Sequence, residues 1–298
     1  YTLSDTLSLH DALPILFAMS NKADSAVILA SQADVAIVCL GNHPLGYGLG
    51  WGQNQVASDG REDVDRQAIS LEQEDLAKLV LAANPNTILV MVSSFPYAIP
   101  WSKENIPAIV HITQSSQELG NGLADVLFGS VSPAGRLVQT WPESIEHLPP
   151  ILDYDIRNNR TYMYTRHKPL FPFGYGLSYS DFEYSKLRTD KKTACEGDTV
   201  CISFLLRNSG RFDSDEVAQL YVSFPGSKVK RPPITLKGFK RVHIRSGETR
   251  KVTILLPAEE LKYWDDQEKT FALEKGSVAF FVGGSSADRR LIGQLKIN

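Results

Sequence analysis

Leu170-Phe171-Pro172-Phe173-Gly174-Tyr175-Gly176-Leu177-Ser178-Tyr179 separates two stretches of chain with different hydrophobic patterns. Proline, glycine and aromatic residues at this density suit a turn-rich connection and no regular element. Ahead of it, continuous apolar runs at 33–40, 87–92 and 108–112 read as buried strands. A short helix is expected from about residue 23 to 29. Ser70-Leu71-Glu72-Gln73 has capping-box spacing, and Leu76, Leu79, Val80 and Ala83 recur at i, i+3, i+4 and i+7, the stripe of a core-facing helix. Asn84-Pro85-Asn86 should stop that helix, and a further one is expected over 117–128, closed by Gly129. Apolar strands interleaved with helices predict a mainly parallel sheet covered by helices, an α/β sandwich domain over 16–169.

Beyond the dividing stretch no long helical stripe appears. Strand-like runs occur at 182–187, 200–207, 217–223, 236–242, 251–256, 277–282 and 291–297, punctuated by Asn208-Ser209-Gly210, Ser246-Gly247 and Gly283-Gly284. This spacing predicts an antiparallel, immunoglobulin-like β-sandwich over 181–298, although the Cys…Trp…Cys mark of a true immunoglobulin domain is missing. The expected fold class is α/β followed by all-β, with 170–180 as the linker. Residues 1–15 have neither clean periodicity nor a targeting pattern, and 8–15 look like translated sequencing-adapter sequence. They are read as a non-native junction, so the lack of a signal peptide there carries no information about localisation.

The 298 residues suffice for two domains. Hydrophobic residues at 43% and charged residues at 22% exclude disorder and coiled coil. Lys plus Arg number 31 against 34 Asp plus Glu, a net charge of -3, so no basic field is available for nucleic acid. No apolar run approaches the roughly 18 residues of a membrane span. Cys39, Cys195 and Cys201 fit no zinc or redox spacing, and no metal or cofactor is expected. Cys39, inside an apolar run, reads as a buried thiol. Cys195 and Cys201 flank Glu196-Gly197-Asp198, and a hairpin there would let them pair in an oxidising compartment.

Ligands of open α/β sheets gather beyond the carboxyl ends of the strands, so the polar loops after Leu40, Val92 and Ile112 are the places to look. The first carries Gly46, Gly48, Gly50 and Gly52 with Tyr47 and Trp51. Its glycine spacing opens no helix, which excludes the dinucleotide fingerprint. Tyr47 and Trp51 either stack on a sugar face or pin the loop by one buried ring. Farther on, 59–66 holds four carboxylates and two arginines, a setting in which one acid can have a raised pKa while others stay ionised. Taken alone, such a segment is more often a solvated face. His43 and His111 likewise read as structural, and no Ser/His/Asp spacing appears.

Several motifs in order have a collective likeness. These are Ala33-Asp34-Val35-Ala36-Ile37-Val38, Glu62-x-x-Asp65-Arg66, Ala83-Asn84-Pro85-Asn86-Thr87, Gln117-Glu118-x-Gly120-Asn121, Ala124-Asp125-Val126-Leu127-Phe128-Gly129, Pro133-Ala134-Gly135-Arg136-Leu137 and the dividing stretch itself. Together they resemble glycoside hydrolase family 3. Glu216-Val217-x-Gln219-Leu220-Tyr221-Val222, Leu236-Lys237-Gly238-Phe239-Lys240-Arg241-Val242 and Gly247-Glu248-Thr249 resemble that family's fibronectin type III-like module.

The resemblance implies a retaining, exo-acting β-glucosidase or β-xylosidase cleaving a β-linked oligosaccharide or glycoside. Its aspartate nucleophile would lie on a (β/α)₈ barrel that precedes the α/β domain and has no counterpart in this chain, so this chain alone should hydrolyse nothing. The two carboxyl groups of a retaining enzyme lie about 5–5.5 Å apart, which puts the site between the two domains. By motif position Glu62 matches the general acid/base. Many members have Glu-Gly where this chain reads Asp59-Gly60, so Asp59 is the alternative. Asp65 and Arg66 then read as a loop-shaping ion pair, and Asn42, His43, Trp51 and Ser93 as substrate-binding wall residues. Family habit implies periplasmic or extracellular residence, which a Cys195–Cys201 pair would support. The other reading is a non-catalytic carbohydrate-binding or structural module.

Overall fold

The computed structural model describes residues 16–18, 23–42, 68–114 and 117–298. The junction segment 1–15 lies outside them. The chain forms two compact units, Tyr1–Ser115 and Ser116–Asn298. Among the described residues no helix is long and apolar enough to cross a membrane.

In the first unit, helix α1 (Ala23–Gln32) leads into strand β1 (Ala36–Gly41), followed by α2 (Glu74–Ala83), β2 (Thr87–Val92), α3 (Pro100–Asn105) and β3 (Ala108–Ile112). The strands form one parallel sheet in the order β1-β2-β3, with Gly41 opposite Val92 and Val92 opposite Ile112. The expected parallel sheet is therefore present. Leu89, Val90 and Met91 of the central strand are fully buried.

Edge strand β1 departs from the expected two-sided burial. Ala36, Val38 and Leu40 face the core, where α1 packs on α2 and α2 on β1, while Ile37 and Cys39 alternate to the exposed side. The reading of Cys39 as a buried thiol is thus corrected. Helix α2 also begins later than its capping box suggests. Ser70 forms a bridge with Ala98, and Gln73 at the cap position makes no side-chain cap bond; its amide oxygen accepts from Gly41 N at 3.0 Å. Ala77 and Val80 are its buried residues, and Leu79 is exposed. Its stop is realised as expected. The Asn84 side chain donates to the carbonyls of Ala30 (3.0 Å) and Ala33 (2.7 Å) and accepts from Asn86 N (2.9 Å), joining the ends of both helices.

The second unit opens with α4 (Leu119–Leu127), which Gly129 closes at φ +77° with its N–H on Val126 O. One helical turn, α5 (Thr161–Tyr164), precedes the strands β4 (Phe182–Thr189), β5 (Thr193–Ala194), β6 (Thr199–Asn208), β7 (Ser214–Ser223), β8 (Thr235–Ile244), β9 (Thr249–Pro257), β10 (Tyr263–Asp265), β11 (Thr270–Ala272), β12 (Gly276–Gly283) and β13 (Leu291–Ile297). A sheet of order β5-β13-β12-β7-β8 faces another of order β4-β6-β9, and β10-β11 is a separate hairpin. Every long strand expected from sequence is present, and the short β5, β10 and β11 are additional. Alternate residues fill the core: Val200, Ile202, Phe204 and Leu206 from β6, Val252, Ile254 and Leu256 from β9, Ala218, Leu220 and Val222 from β7, with Val278, Phe280 and Val282 from β12.

Cys195 and Cys201 are free thiols. Between them Asp198 takes Cys195 N onto its carboxylate at 2.9 Å, and the chain passes from the β5 sheet to the β6 sheet instead of turning back as a hairpin.

Residues 128–180 pack on the sandwich as a third layer. β7 is buried on both faces, with Gln219 and Tyr221 pointing away from the core. Gln219 Nε2 donates to Gly174 O (3.0 Å) and Gly284 O (2.6 Å), while Tyr162 stacks on Phe173 and meets Tyr221 edge-on. Gly174 has φ +79°, and a Cβ there would lie 2.1 Å from Gln219 Oε1. Arg136 donates to Glu216 Oε2 at 2.7 Å, and the hydroxyl of Tyr184 donates to the other oxygen at 2.6 Å.

Candidate functional site

The three parallel strands end at one level, so Asn42, Ser93 and Thr113 each lie one residue past the paired positions Gly41, Val92 and Ile112. A polar rim forms there. Asn42 N donates to Val92 O and Ser93 N to Ile112 O, both at 3.0 Å, extending the ladder by one step. Gly41 makes that extension possible: at φ +149°, a Cβ would stand 1.9 Å from Val92 O.

Above the ladder the side chains join the strand ends. Ser94 Oγ donates to Gln114 Oε1, and Gln114 Nε2 donates to Asn42 O, so one glutamine spans all three. Ser93 is 0% exposed, with its Oγ 3.1 Å from His111 Nε2, which also lies 3.2 Å from Ser93 O. Burial pushes the His111 pKa below its ordinary value and keeps the ring neutral.

After Asn42 the described chain resumes at 68–70, beside the stretch that follows β2, where Ala98 N donates to Ile69 O at 2.7 Å and Ser70 bridges Ala98. His43, Tyr47, Trp51, Asp59, Glu62, Asp65 and Arg66 lie between these two points, outside the described residues. Of the wall residues expected from sequence, Asn42 and Ser93 come together at neighbouring strand ends. Asn42 is 8% exposed. Ser94, Gln114 and Gln73 were not singled out. The rule that ligands gather past strand ends points to the loops holding Ser94 and Gln114, whereas Gln73 reads from sequence only as part of a helix-capping box. Among the described residues no group of three or more His, Cys, Asp or Glu is placed to hold a metal ion.

The sequence pattern described as "Glycosyl hydrolase family 3 C-terminal domain" matches residues 3–179, and that of a fibronectin type III-like domain matches 216–286. Thermostable beta-glucosidase B of Acetivibrio thermocellus is 33% identical over 90% of this chain and 36% of its own length. A beta-glucosidase of Kluyveromyces marxianus is 33% identical over 92% of this chain and 32% of its own length. The chain thus spans about a third of the length of these relatives. Among solved structures, the Kluyveromyces marxianus beta-glucosidase superposes with a TM-score of 0.81 over 95% of this chain and 35% of its own, at 32% identity. A Bifidobacterium adolescentis GH3 beta-glucosidase superposes with a TM-score of 0.80 over 92% of this chain and 40% of its own, at 27% identity. A parallel α/β domain followed by a β-sandwich, matched along nearly its whole length by these proteins, shows that the chain belongs to glycosyl hydrolase family 3.

Proposed function

We propose that this chain supplies the acid/base half of a retaining β-glucosidase, with the aspartate nucleophile provided by an N-terminal (β/α)₈ barrel of the same polypeptide. The observation that carries the reading is the polar rim at the carboxyl end of the parallel sheet. The segment bearing Asp59 and Glu62 follows directly on Asn42 of that rim. The names of the relatives favour β-glucosides over β-xylosides as substrates. Extracellular or periplasmic residence rests on the family likeness, since Cys195 and Cys201 are unpaired.

In this mechanism the barrel carboxylate attacks the anomeric carbon while Glu62, protonated, gives its proton to the departing glycosidic oxygen. The resulting Glu62 carboxylate then takes a proton from water, which attacks the same carbon and restores the carboxylate nucleophile. Asp59 is the alternative acid. Kinetics of the polypeptide that includes the barrel test the assignment. Glu62→Gln should lower kcat for an alkyl β-glucoside by about 10²–10⁴-fold. A dinitrophenyl β-glucoside, whose leaving group needs no proton, should still form the glycosyl-enzyme in a burst, and added azide should speed its turnover. The same pattern in Asp59→Asn with Glu62→Gln near wild type would transfer the role to Asp59. A burst lost in neither variant, with full kcat in both, would remove this loop from the chemistry.

A further inference from the structure

The β10-β11 hairpin has two unlike faces, because neighbouring residues on a strand point to opposite sides. On one face Tyr263 meets the guanidinium of Arg231, 4.9 Å from the ring centre, and the same guanidinium lies 4.0 Å over Phe224. Arg231 is 8% exposed and donates to Leu261 O at 3.0 Å and to Glu274 Oε2 at 3.3 Å. Glu274 also accepts from Ser227 Oγ (2.6 Å) and Lys228 N (2.8 Å). One buried ion pair thus fastens the chain on both sides of the hairpin. The turn is fastened as well, with Asp265 Oδ1 accepting from Gln267 N at 2.9 Å and Glu268 N at 3.2 Å.

Trp264 and Phe271 stand on the other face as cross-strand partners, 49% and 63% exposed, with their ring planes 75° apart. Trp264 Nε1 donates to Asp266 Oδ1 at 3.1 Å, which orients the indole and satisfies its one polar hydrogen. The hairpin therefore holds out two fixed aromatic rings bordered by a carboxylate that is 87% exposed. Rings ordered in advance lower the entropy cost of binding.

We propose that Trp264, Phe271 and Asp266 form a second sugar-binding site, which holds a β-linked glucan chain on the β-sandwich. The proposal rests on the β-glucoside reading above and extends it from a reacting site to a holding site. In such a glucan every ring substituent is equatorial, so each ring face shows only C–H bonds, whose partial positive charge suits the negative face of an aromatic ring. The equatorial hydroxyls point outward from the ring edge, where the Asp266 carboxylate can accept from them. Other occupants fit less well. Carboxylates repel an anionic ligand, and Asp266 already faces the chain's own cation, Lys269, at 3.8 Å. Aromatic side chains bury about 150–250 Å² each, so two half-open rings fall short of the roughly 800 Å² per partner of a stable protein interface.

Titration of the 298-residue chain, carrying ¹⁵N-labelled indoles, with cellohexaose tests this. The chain has four tryptophans, and Trp264→Phe identifies the signal of Trp264. That signal should shift saturably with a Kd below about 5 mM. Phe271→Ala should weaken binding at least about tenfold, with the other three indole signals unmoved as the mark of an intact fold. Maltohexaose, whose α linkages coil the chain, should bind at least about tenfold more weakly, as each tenfold is a small energy difference. A Trp264 signal that stays still overturns the proposal, as does tighter binding of maltohexaose or xylohexaose. A larger shift with tetramethylammonium would make the pair a cation site instead, and a shift with protein concentration alone would make a second copy the occupant. Both outcomes overturn it. The titration involves no turnover, so its failure leaves the Glu62 assignment standing, and failure of that assignment is read separately in the kinetics of Glu62→Gln.

Discussion

Gly41 shows how a single missing methyl group shapes the candidate site. Its φ of +149° and the 1.9 Å gap to Val92 O leave no room for a Cβ, so β1 can run one residue farther beside β2 and deliver Asn42 to the rim. Gly41→Ala should cost on the order of 3 kcal/mol through strain and backbone displacement. Urea unfolding followed in the first unit checks this, and an unchanged midpoint would show that the strand end relaxes freely. His111 supplies a pH signature. Burial lowers its folded pKa below the 6.5 of the unfolded chain, so folding favours the neutral ring. Its contribution is complete above pH 6.5 and is lost as pH falls from there through the folded pKa. Replacing it by Gln should flatten the loss of stability on acidification below pH 6.5; parallel curves for the two proteins would refute this. The rim was partly legible, since Asn42 and Ser93 follow apolar runs. The pairing of Gln114 with Ser94 and Asn42 was not, because it depends on which strands become neighbours.

At the scale of elements, Arg136, Glu216 and Tyr184 join three segments through one buried carboxylate. Arg136 and Glu216 side chains are 10% and 7% exposed, and the hydroxyl of Tyr184 is held protonated by burial and by the adjacent Glu216 charge. Removing Arg136 with Arg136→Met should destabilise the second unit by about 3–5 kcal/mol, because Glu216 would be left charged without its partner. Arg136→Met/Glu216→Gln should recover most of that loss in thermal unfolding. A double variant no better than the single one would show that Arg136 acts by packing alone. On the hairpin β10-β11, Trp264 and Phe271 are cross-strand partners with ring centroids 5.3 Å apart in an edge-on arrangement. The long strands were legible because period-2 alternation records one buried face. The capping box was misleading, because Ser70 and Gln73 were taken by partners from Ala98 and Gly41.

At the scale of the molecule, the dividing stretch does not hang between bodies but is part of the second unit. Gly174 backs onto Gln219, Leu137 N donates to Tyr175 O at 2.8 Å, and Trp141 N donates to Phe171 O at 2.9 Å. A fragment starting at residue 181 therefore loses the cover of Tyr221 and the partner of Glu216. Such a fragment should unfold at a clearly lower urea concentration than one starting at residue 117, and equal midpoints would show that the third layer adds nothing. Arg136 and Gly174 in these motifs are thus explained by packing.

The sequence by itself determined the two fold classes, the position of nearly every long strand and the family, because hydrophobic period and turn residues are local and survive in the linear order. Only the tertiary structure decided that β1 has an open face, that the chain crosses from one sheet to the other between Cys195 and Cys201 and that 128–180 covers the outside of β7. Each of these depends on which segments, distant in sequence, become neighbours, and that is set by the burial of whole faces and not by any one run of residues.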